Sequence, residues 1–568
     1  MKRIDSFKTP LSENLLWNNN FFELYPFDGG GYFITHDLIN TLDDESIYQK
    51  ILYENALEKF GSLERPDFRR FEYWNTIELS CWINRLYFLV PLSKIAVIKN
   101  NLSVMELVKD TILYYQKQYP PPQGRDAVCE YGRQILEHRD QDYNEGGSCK
   151  DSPIDYQWFD FQPASRIVNV VNALNFLRDS PAISLDEWEK LDHFIYSNAE
   201  TIYLDETYRC PLECGNHQAL RGLALLYGAT YFKGESFAHD WLVKGIEIIN
   251  FHAEHDYHED GLLKEISPSY HVFETWIIRD AFLLAKQYGF QLAPVVETVL
   301  KKAFLVCHTL TQPNGCMIVI DDGYPLKSSA FLESFPIPTR QSSRILFSKA
   351  QIAANRSCSW FTVLDSSPFT GKYSHYHAGK NAVTIWFDQY PFIIESNCCS
   401  YDQSDHSKWY KLAQAHSTLL INKQGDGLLN GRCSWSCWAE TQIKQIKKNS
   451  TAGSLVSSAP DWDGIHWIRY LQNTRDVIIR DHVEADKLKD MEFLFILHPD
   501  VLAEIKSDKI ILENHVRLQL KWKSSNLINW KLLPGKVFLN GTSQLSQRLS
   551  ATVEAKNFKW EITFSHIN

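Results

Sequence analysis

The two halves of this chain obey different periodicities, and that switch limits the folds open to it more than any other feature. Up to about residue 340, apolar residues recur at helical spacing and predict helices over residues 47–60, 76–89, 103–118, 164–177, 185–204, 218–232, 239–255, 270–288 and 293–310. Beyond about residue 350 the apolar runs shorten to strand length, at 360–364, 382–387, 392–394, 417–421, 465–470, 477–482, 492–497, 509–512, 516–522 and 558–564. Helices followed by strands exclude a parallel sheet wound from βαβ units. They predict an all-α domain over residues 1–340 and an antiparallel β-sandwich over residues 341–568. Successive helix pairs suggest a curved α/α array with a groove on its concave side. Ser184 and Ser236 stand where N-caps belong, Gly215 and Gly261 mark helix ends or loops, and residues 141–156 read as a polar loop.

A chain of 568 residues with 44% hydrophobic content can bury substantial cores. Its net charge of -11 gives no basic footprint for nucleic acid, so any polyanionic ligand must be met by a local cationic groove. The 17 Trp, 27 Tyr and 32 Phe fill cores, and such rings also serve as flat platforms for sugars. No apolar run follows Lys2 and Arg3, which predicts a cytoplasmic protein, with the periplasm or cell envelope as the alternative. No stretch of about 18 apolar residues predicts a membrane span. Twelve scattered cysteines read as reduced thiols; Cys210 with Cys214 and Cys433 with Cys437 are each spaced C-x3-C but lack a second pair, and read as structural.

Chemistry gathers at two places. In His375-Tyr376-His377 a strand would send both imidazoles to one face and Tyr376 to the other. Glu395 and His416 lie beside neighbouring strand-like runs that could bring them to His377, and two His with one carboxylate make a plausible zinc set. In the helical half, Asn216-His217 opens one helix and the segment from Asp260 to His271 leads into another. Asn216 reads either as an N-cap or as a ligand-binding amide, and Tyr270 either as a core aromatic or as a proton-transfer group.

The order Asn216-His217, Asp260-Gly261, Glu265-x-Ser267-x-x-Tyr270-His271, His375-x-His377, Glu395 and Ala415-His416-Ser417-Thr418 resembles the heparinase II/III-type polysaccharide lyases and the related alginate and oligoalginate lyases. Trp158-Phe159-Asp160-Phe161 followed by Ser165-Arg166-Ile167-Val168-Asn169 resembles the helical domain of the same family. The resemblance implies an incomplete α/α toroid followed by an antiparallel β-sandwich, and an anionic polysaccharide or oligosaccharide substrate cleaved by β-elimination beside a uronic acid. A role in bacterial surface-polysaccharide metabolism fits it. The C5 proton of a uronate is weakly acidic because the adjacent carboxylate is already charged, so that carboxylate must be neutralised as the enolate develops. The resemblance assigns this task to Asn216 and His217, proton transfer to Tyr270 with His375 as partner or alternative base, and substrate contacts to Arg166, Glu265 and His271. A tyrosine base needs a nearby positive charge, because a free phenol has a pKa near 10. Structural Zn2+ maps onto His377, Glu395 and His416, with Glu395 standing where relatives carry Asp. Gly379 also stands where many relatives carry Asp. Two other readings remain: an α/α-toroid glycoside hydrolase using Asp321, Asp322 and Glu265, and a catalytically silent carbohydrate-binding or assembly protein.

Overall fold

The structure, a computed structural model, describes residues 83–567 except 87–88, 145–155, 159–160, 324–325, 327, 336, 338–343, 358, 372–374, 399–403, 432–433, 448 and 540–541, together with 61–62 and 65–66. The helix expected over 47–60, most of that over 76–89, residues 145–155 of the expected 141–156 loop, Cys433 and the expected domain boundary at 340 lie outside the described residues, while residues 141–144 end a helix instead of opening the loop.

Among the described residues, nine helices of ten residues or more follow one another: α1 Leu89–Ile98, α2 Leu102–Gln118, α3 Gly124–Asn144, α4 Phe161–Leu177, α5 Leu185–Tyr208, α6 Asn216–Tyr231, α7 Ser236–His255, α8 Pro268–Tyr288 and α9 Pro294–Leu310. The start of α5 is a capping box, in which the Ser184 side chain accepts from the Glu187 amide while Glu187 reaches back to the Ser184 amide. Ser236 is not a cap: it is the first residue of α7, and Glu235 precedes it without a side-chain capping bond. Nearly every residue of α4 is buried. Helices α6 and α7 approach closely through small residues. A Cβ on Gly222 would lie 2.6 Å from Ile248, and one on Gly245 2.9 Å from Leu226.

Two antiparallel sheets follow. The first is a five-stranded meander, β1 Arg344–Phe347, β2 Ile352–Ser357, β3 Trp360–Asp365, β4 Ala382–Phe387 and β5 Tyr390–Ile393. The second has ten strands, β6 Leu419–Ile421, β7 Ala439–Lys447, β8 Ser450–Ser457, β9 Ile465–Asn473, β10 Val477–Ile496, β11 Leu502–Ile505, β12 Ile510–Asn514, β13 Val516–Ser524, β14 Asn529–Leu539 and β15 Thr542–Ile567. Its order is β7-β8-β9-β10-β15-β13-β12-β11, with β14 on β15 and β6 on β10. Inward side chains of both sheets, Trp360, Leu364, Val383 and Ile385 from the first and Trp467, Phe493, Phe558 and Trp560 from the second, share one core. Each such buried side chain contributes roughly 1.5–3 kcal/mol. This is the sandwich that the strand-length runs predict.

The chain divides into two compact units that interleave in sequence. A helical unit takes the described residues through Asp256, then Phe273–Lys301 and Glu333–Phe335; a β unit takes Tyr257–Val272, Lys302–Leu332 and the chain from Pro336 onward. Two segments from the helical half of the sequence thus belong to the β unit. Among the described residues no helix is long and apolar enough to cross a membrane.

Candidate active site

In the β unit, the loop from Tyr257 to Ser267 carries Glu265 and delivers the chain to α8. A bridge between Tyr257 and Leu263 closes the loop. Gly261 sits at its tip with φ +91, where a Cβ would lie 2.6 Å from the Lys302 Cβ, so both backbone conformation and space call for glycine. Pro268 begins α8 with its φ already helical, which places Tyr270 in the first turn. Ile266, buried and β-branched, has φ +68, and Asp321 has φ +57. Left-handed backbone at a β-branched residue is costly, and here it lies next to Glu265, while Asp321 lies next to Asp322. Strain is therefore spent to aim two carboxylates.

Both carboxylates meet His375. Its Nε2 lies 3.4 Å from Glu265 and its Nδ1 3.2 Å from Asp322. Its ring stacks on Tyr270 with centroids 3.9 Å apart and planes inclined by 22°. Burial disfavours the charged ring, but the hydrogen bonds to Asp322 and Glu265 outweigh it and raise the His375 pKa to about 10. His375 is thus an imidazolium at neutral pH, a proton donor and fixed positive charge in place of the free base the sequence left open. Asp322 also accepts from His377 Nε2 at 2.7 Å and pairs with Lys411 at 3.1 Å. Despite the opposing effect of burial, these partners hold its carboxyl well below the usual range.

Residues 375–377 form no ladder, contrary to the expected strand, yet the extended chain keeps the alternation. Both imidazoles reach Asp322, while Tyr376 turns into an apolar cluster with Ala378, Trp435 and Leu494 and accepts from the Ala439 amide. Behind them, the buried Lys380 pairs with Asp321 at 2.5 Å and donates to Ser367 at 2.8 Å, and Asp321 accepts from the His377 amide at 3.0 Å. Burial, opposed by Lys380, raises Asp321 to about 6. Two of the three carboxylates named for a hydrolase, Asp321 and Asp322, are therefore tied up inside this network, and the third, Glu265, faces His375. Asp322 is held ionised among three donors and Asp321 is tied to a lysine, so neither is an available acid facing a ligand.

His377, Glu395 and His416 converge in the same unit. The His377 and His416 rings are 5.4 Å apart, and His416 Nδ1 contacts Glu395 Oε2 while its Nε2 donates to the Tyr410 carbonyl at 3.1 Å. Burial pushes His377 down to about 3, leaving it neutral as a ligand must be. Its Nδ1 and Glu395 Oε1 are buried without hydrogen-bond partners. The donor types and these two orphaned atoms fit a zinc ion, with His416 having to give up its proton toward Glu395 to ligate, since, against burial, Glu395 raises its pKa. The three ligand atoms do not gather within 4.8 Å as they stand, so an ion would have to draw them inward. Gly379 has φ +107, and a Cβ there would lie 2.7 Å from the His416 Cβ, so any side chain at this position would press on His416. Asp426 accepts from the Gly379 and Lys380 amides.

In the helical unit, Asn216 is the first residue of α6 and Gly215, with φ +140, is its N-cap, so Asn216 is not the cap. Its side chain is buried, whereas His217 is exposed with its ring 4.9 Å from Phe161. The Gly215 amide donates to Asp256 at 3.1 Å, which fixes the start of α6 to the end of α7. Two expected substrate contacts are corrected. Arg166 is fully buried, donates to Asn198 and to the Asn84 carbonyl, and lies over the Trp158 and Tyr115 rings. His271 is fully buried between the Leu263 amide and the Ala303 carbonyl, and burial lowers its pKa to about 4. Both hold helices and loops together.

Lys411 and Lys380 escaped the sequence reading, and Asp322, named there only for a hydrolase, was not tied to His375 or His377. Asp321-Asp322-Gly323 has the composition of a turn, and nothing in local spacing ties it to a histidine far along the chain.

Two family models match the sequence: the heparinase II/III N-terminus over residues 134–344 and the heparinase II/III-like C-terminal domain over residues 338–559. The chain belongs to the heparinase II/III-like family of polysaccharide lyases. Among solved structures it is similar to a heparinase III, at 15% identity and TM-score 0.72, covering 100% of this chain and 87% of the other. It is also similar to a mutant of a heparan sulfate lyase from Pedobacter heparinus, at 12% identity and TM-score 0.64, covering 93% and 84%. Another heparinase III gene product matches at 13% identity and TM-score 0.65, covering 94% and 84%. At such identities these likenesses establish the toroid-plus-sandwich fold. No curated protein matches the sequence.

Proposed function

We propose that this lyase acts on a uronate-containing polysaccharide of the glycosaminoglycan kind, breaking the bond to O4 by β-elimination. The observation that carries the reading is the stack of Tyr270 on His375, with His375 clamped between Glu265 and Asp322. The Tyr270 phenolate takes the C5 proton, the C5–H electrons form the new C4–C5 double bond, and the bond to O4 breaks. The protonated His375 supplies the positive charge that a phenolate base requires beside it, and a proton returns to the departing oxygen through Tyr270. Asn216 and His217 of the helical unit neutralise the substrate carboxylate, the task the family resemblance gives them. The names of the structural neighbours, heparinase III and heparan sulfate lyase, support the substrate class.

We also propose a structural zinc at His377, Glu395 and His416, where it would satisfy the two orphaned atoms and brace the segment that carries His375. The test of the reaction is a panel of heparan sulfate, other glycosaminoglycans and alginate, followed by the ultraviolet absorbance of the unsaturated uronate. A hydrolase would release reducing ends without that absorbance. A silent binding protein would retain the polysaccharide and release nothing.

A further inference from the structure

A second polar cluster lies wholly within the helical unit. His252 and Asp256, four residues apart at the end of α7, share one face, and Glu274 reaches them from α8. All three side chains are buried, and one ligand atom from each lies within 4.8 Å of the other two; among the described residues no other three His, Cys, Asp or Glu do this. His252 Nδ1 lies 2.6 Å from Asp256 Oδ2, while His252 Nε2 and Asp256 Oδ1 have no hydrogen-bond partner. Asp256 Oδ2 also accepts from the Gly215 amide at 3.1 Å, and the nearby Cys214 thiol donates to the His255 carbonyl at 3.6 Å.

Two buried carboxyl groups with oxygens within 4.8 Å of each other cannot both be ionised without positive charge nearby, and a protonated His252 would offset only one of them. A shared proton would meet the charge requirement but would leave His252 Nε2 and Asp256 Oδ1 buried and unsatisfied, at about 1–3 kcal/mol each. A divalent cation meets both demands. We propose that His252, Asp256 and Glu274 bind a zinc-class divalent cation, separate from the set in the β unit. One imidazole, two carboxylates and a neighbouring thiol suit zinc, whereas calcium and magnesium take six or more oxygen ligands, several of them water for magnesium. The ion would fix Asp256, and through it the Gly215 amide and the start of α6 that presents Asn216 and His217. It acts through position, not on the substrate.

The test measures zinc uptake by the full chain after chelator treatment and buffer exchange, with folding followed by circular dichroism. Wild-type protein is compared with His252→Gln, Glu274→Gln and His377→Ala. Uptake should fall by one equivalent in His252→Gln and in Glu274→Gln, while His377→Ala keeps that equivalent whatever happens at the other set. Zinc X-ray absorption of loaded His377→Ala protein should show one imidazole with oxygen neighbours, a measurement that needs neither helical-unit variant to fold. The proposal is overturned if His377→Ala takes up no zinc, if its bound zinc has two or more imidazoles, or if folded His252→Gln and Glu274→Gln bind as much as wild type.

Discussion

Asp322 and Asp256 are both buried and both meet histidine, yet their surroundings are opposite. Asp322 collects the charged His375 and Lys411 and a hydrogen bond from the neutral His377, so its two positive partners outnumber it. Asp256 has His252 and a backbone amide as partners and the carboxyl of Glu274 within 4.8 Å. The first site is closed electrostatically by its own side chains and can hold a histidine charged beside a tyrosine. The second is short of positive charge and has lone pairs to spare. A buried carboxylate therefore indicates chemistry only when its partners are counted.

The largest effect expected from breaking this contrast is at Asp322. Asp322→Asn strips His375 and Lys411 of their shared countercharge and His377 of its acceptor, and should cost about 3–5 kcal/mol, the range for removing one member of a buried ion pair. In chelator-treated protein Asp256→Asn relieves repulsion and should cost much less. Denaturant midpoints of the two variants decide it, and equal losses would erase the distinction between the sites.

Next comes Tyr270→Phe, which should keep the melting temperature and lower turnover by at least about a hundredfold, the lower end for lost general acid–base catalysis. Near-wild-type turnover on a verified substrate would remove Tyr270 from the reaction.

A smaller effect separates a buried histidine with no carboxylate partner from one with two. His271 stays neutral in the folded chain down to about 4, whereas in the unfolded chain it takes up a proton below about 6.5. Its contribution is present above pH 6.5 and is lost as pH falls toward 4, a span of up to about 3 kcal/mol. Unfolding free energies measured across that window should fall less steeply in His271→Gln than in wild type; parallel curves would mean that His271 titrates normally.

The smallest effect is at Gly379. Gly379→Ala places a Cβ against His416 at positive φ and should cost about 1–3 kcal/mol, read as a lower melting temperature. An unchanged melting temperature would show that His416 yields easily and that the glycine is not required.

The helices were largely legible because their apolar stripes face a core: the expected 164–177 and 185–204 are Phe161–Leu177 and Leu185–Tyr208. Helix α3 was not, since Gly124–Asn144 is predominantly polar and offers little stripe to read. The sandwich was legible where strands alternate, but Ala439–Lys447 and Ser450–Ser457, rich in lysine, glutamine and serine, gave no signal. Val477–Ile496 was read as two strands because the polar stretch 484–490 looks like a break; the ladder passes through it with a register shift between Glu484 and Lys489. At the site, His375 and Tyr270 could be named from motif order. Asp322 was named only for a hydrolase; its pairing with His375 and His377 could not be read, because it joins a turn sequence to two histidines more than fifty residues further on.

The interleaving of the units bears on how the chain is made. Glu265, Tyr270 and Asp322 leave the ribosome well before the strands they join, so the β unit cannot be complete until the last strand, Thr542–Ile567, has been synthesised. Until then these segments wait inside a nascent helical half. A fragment beginning near residue 340 would carry His375 without the tyrosine and both carboxylates that surround it, and exchange of the sandwich between relatives by a single crossover would part them in the same way.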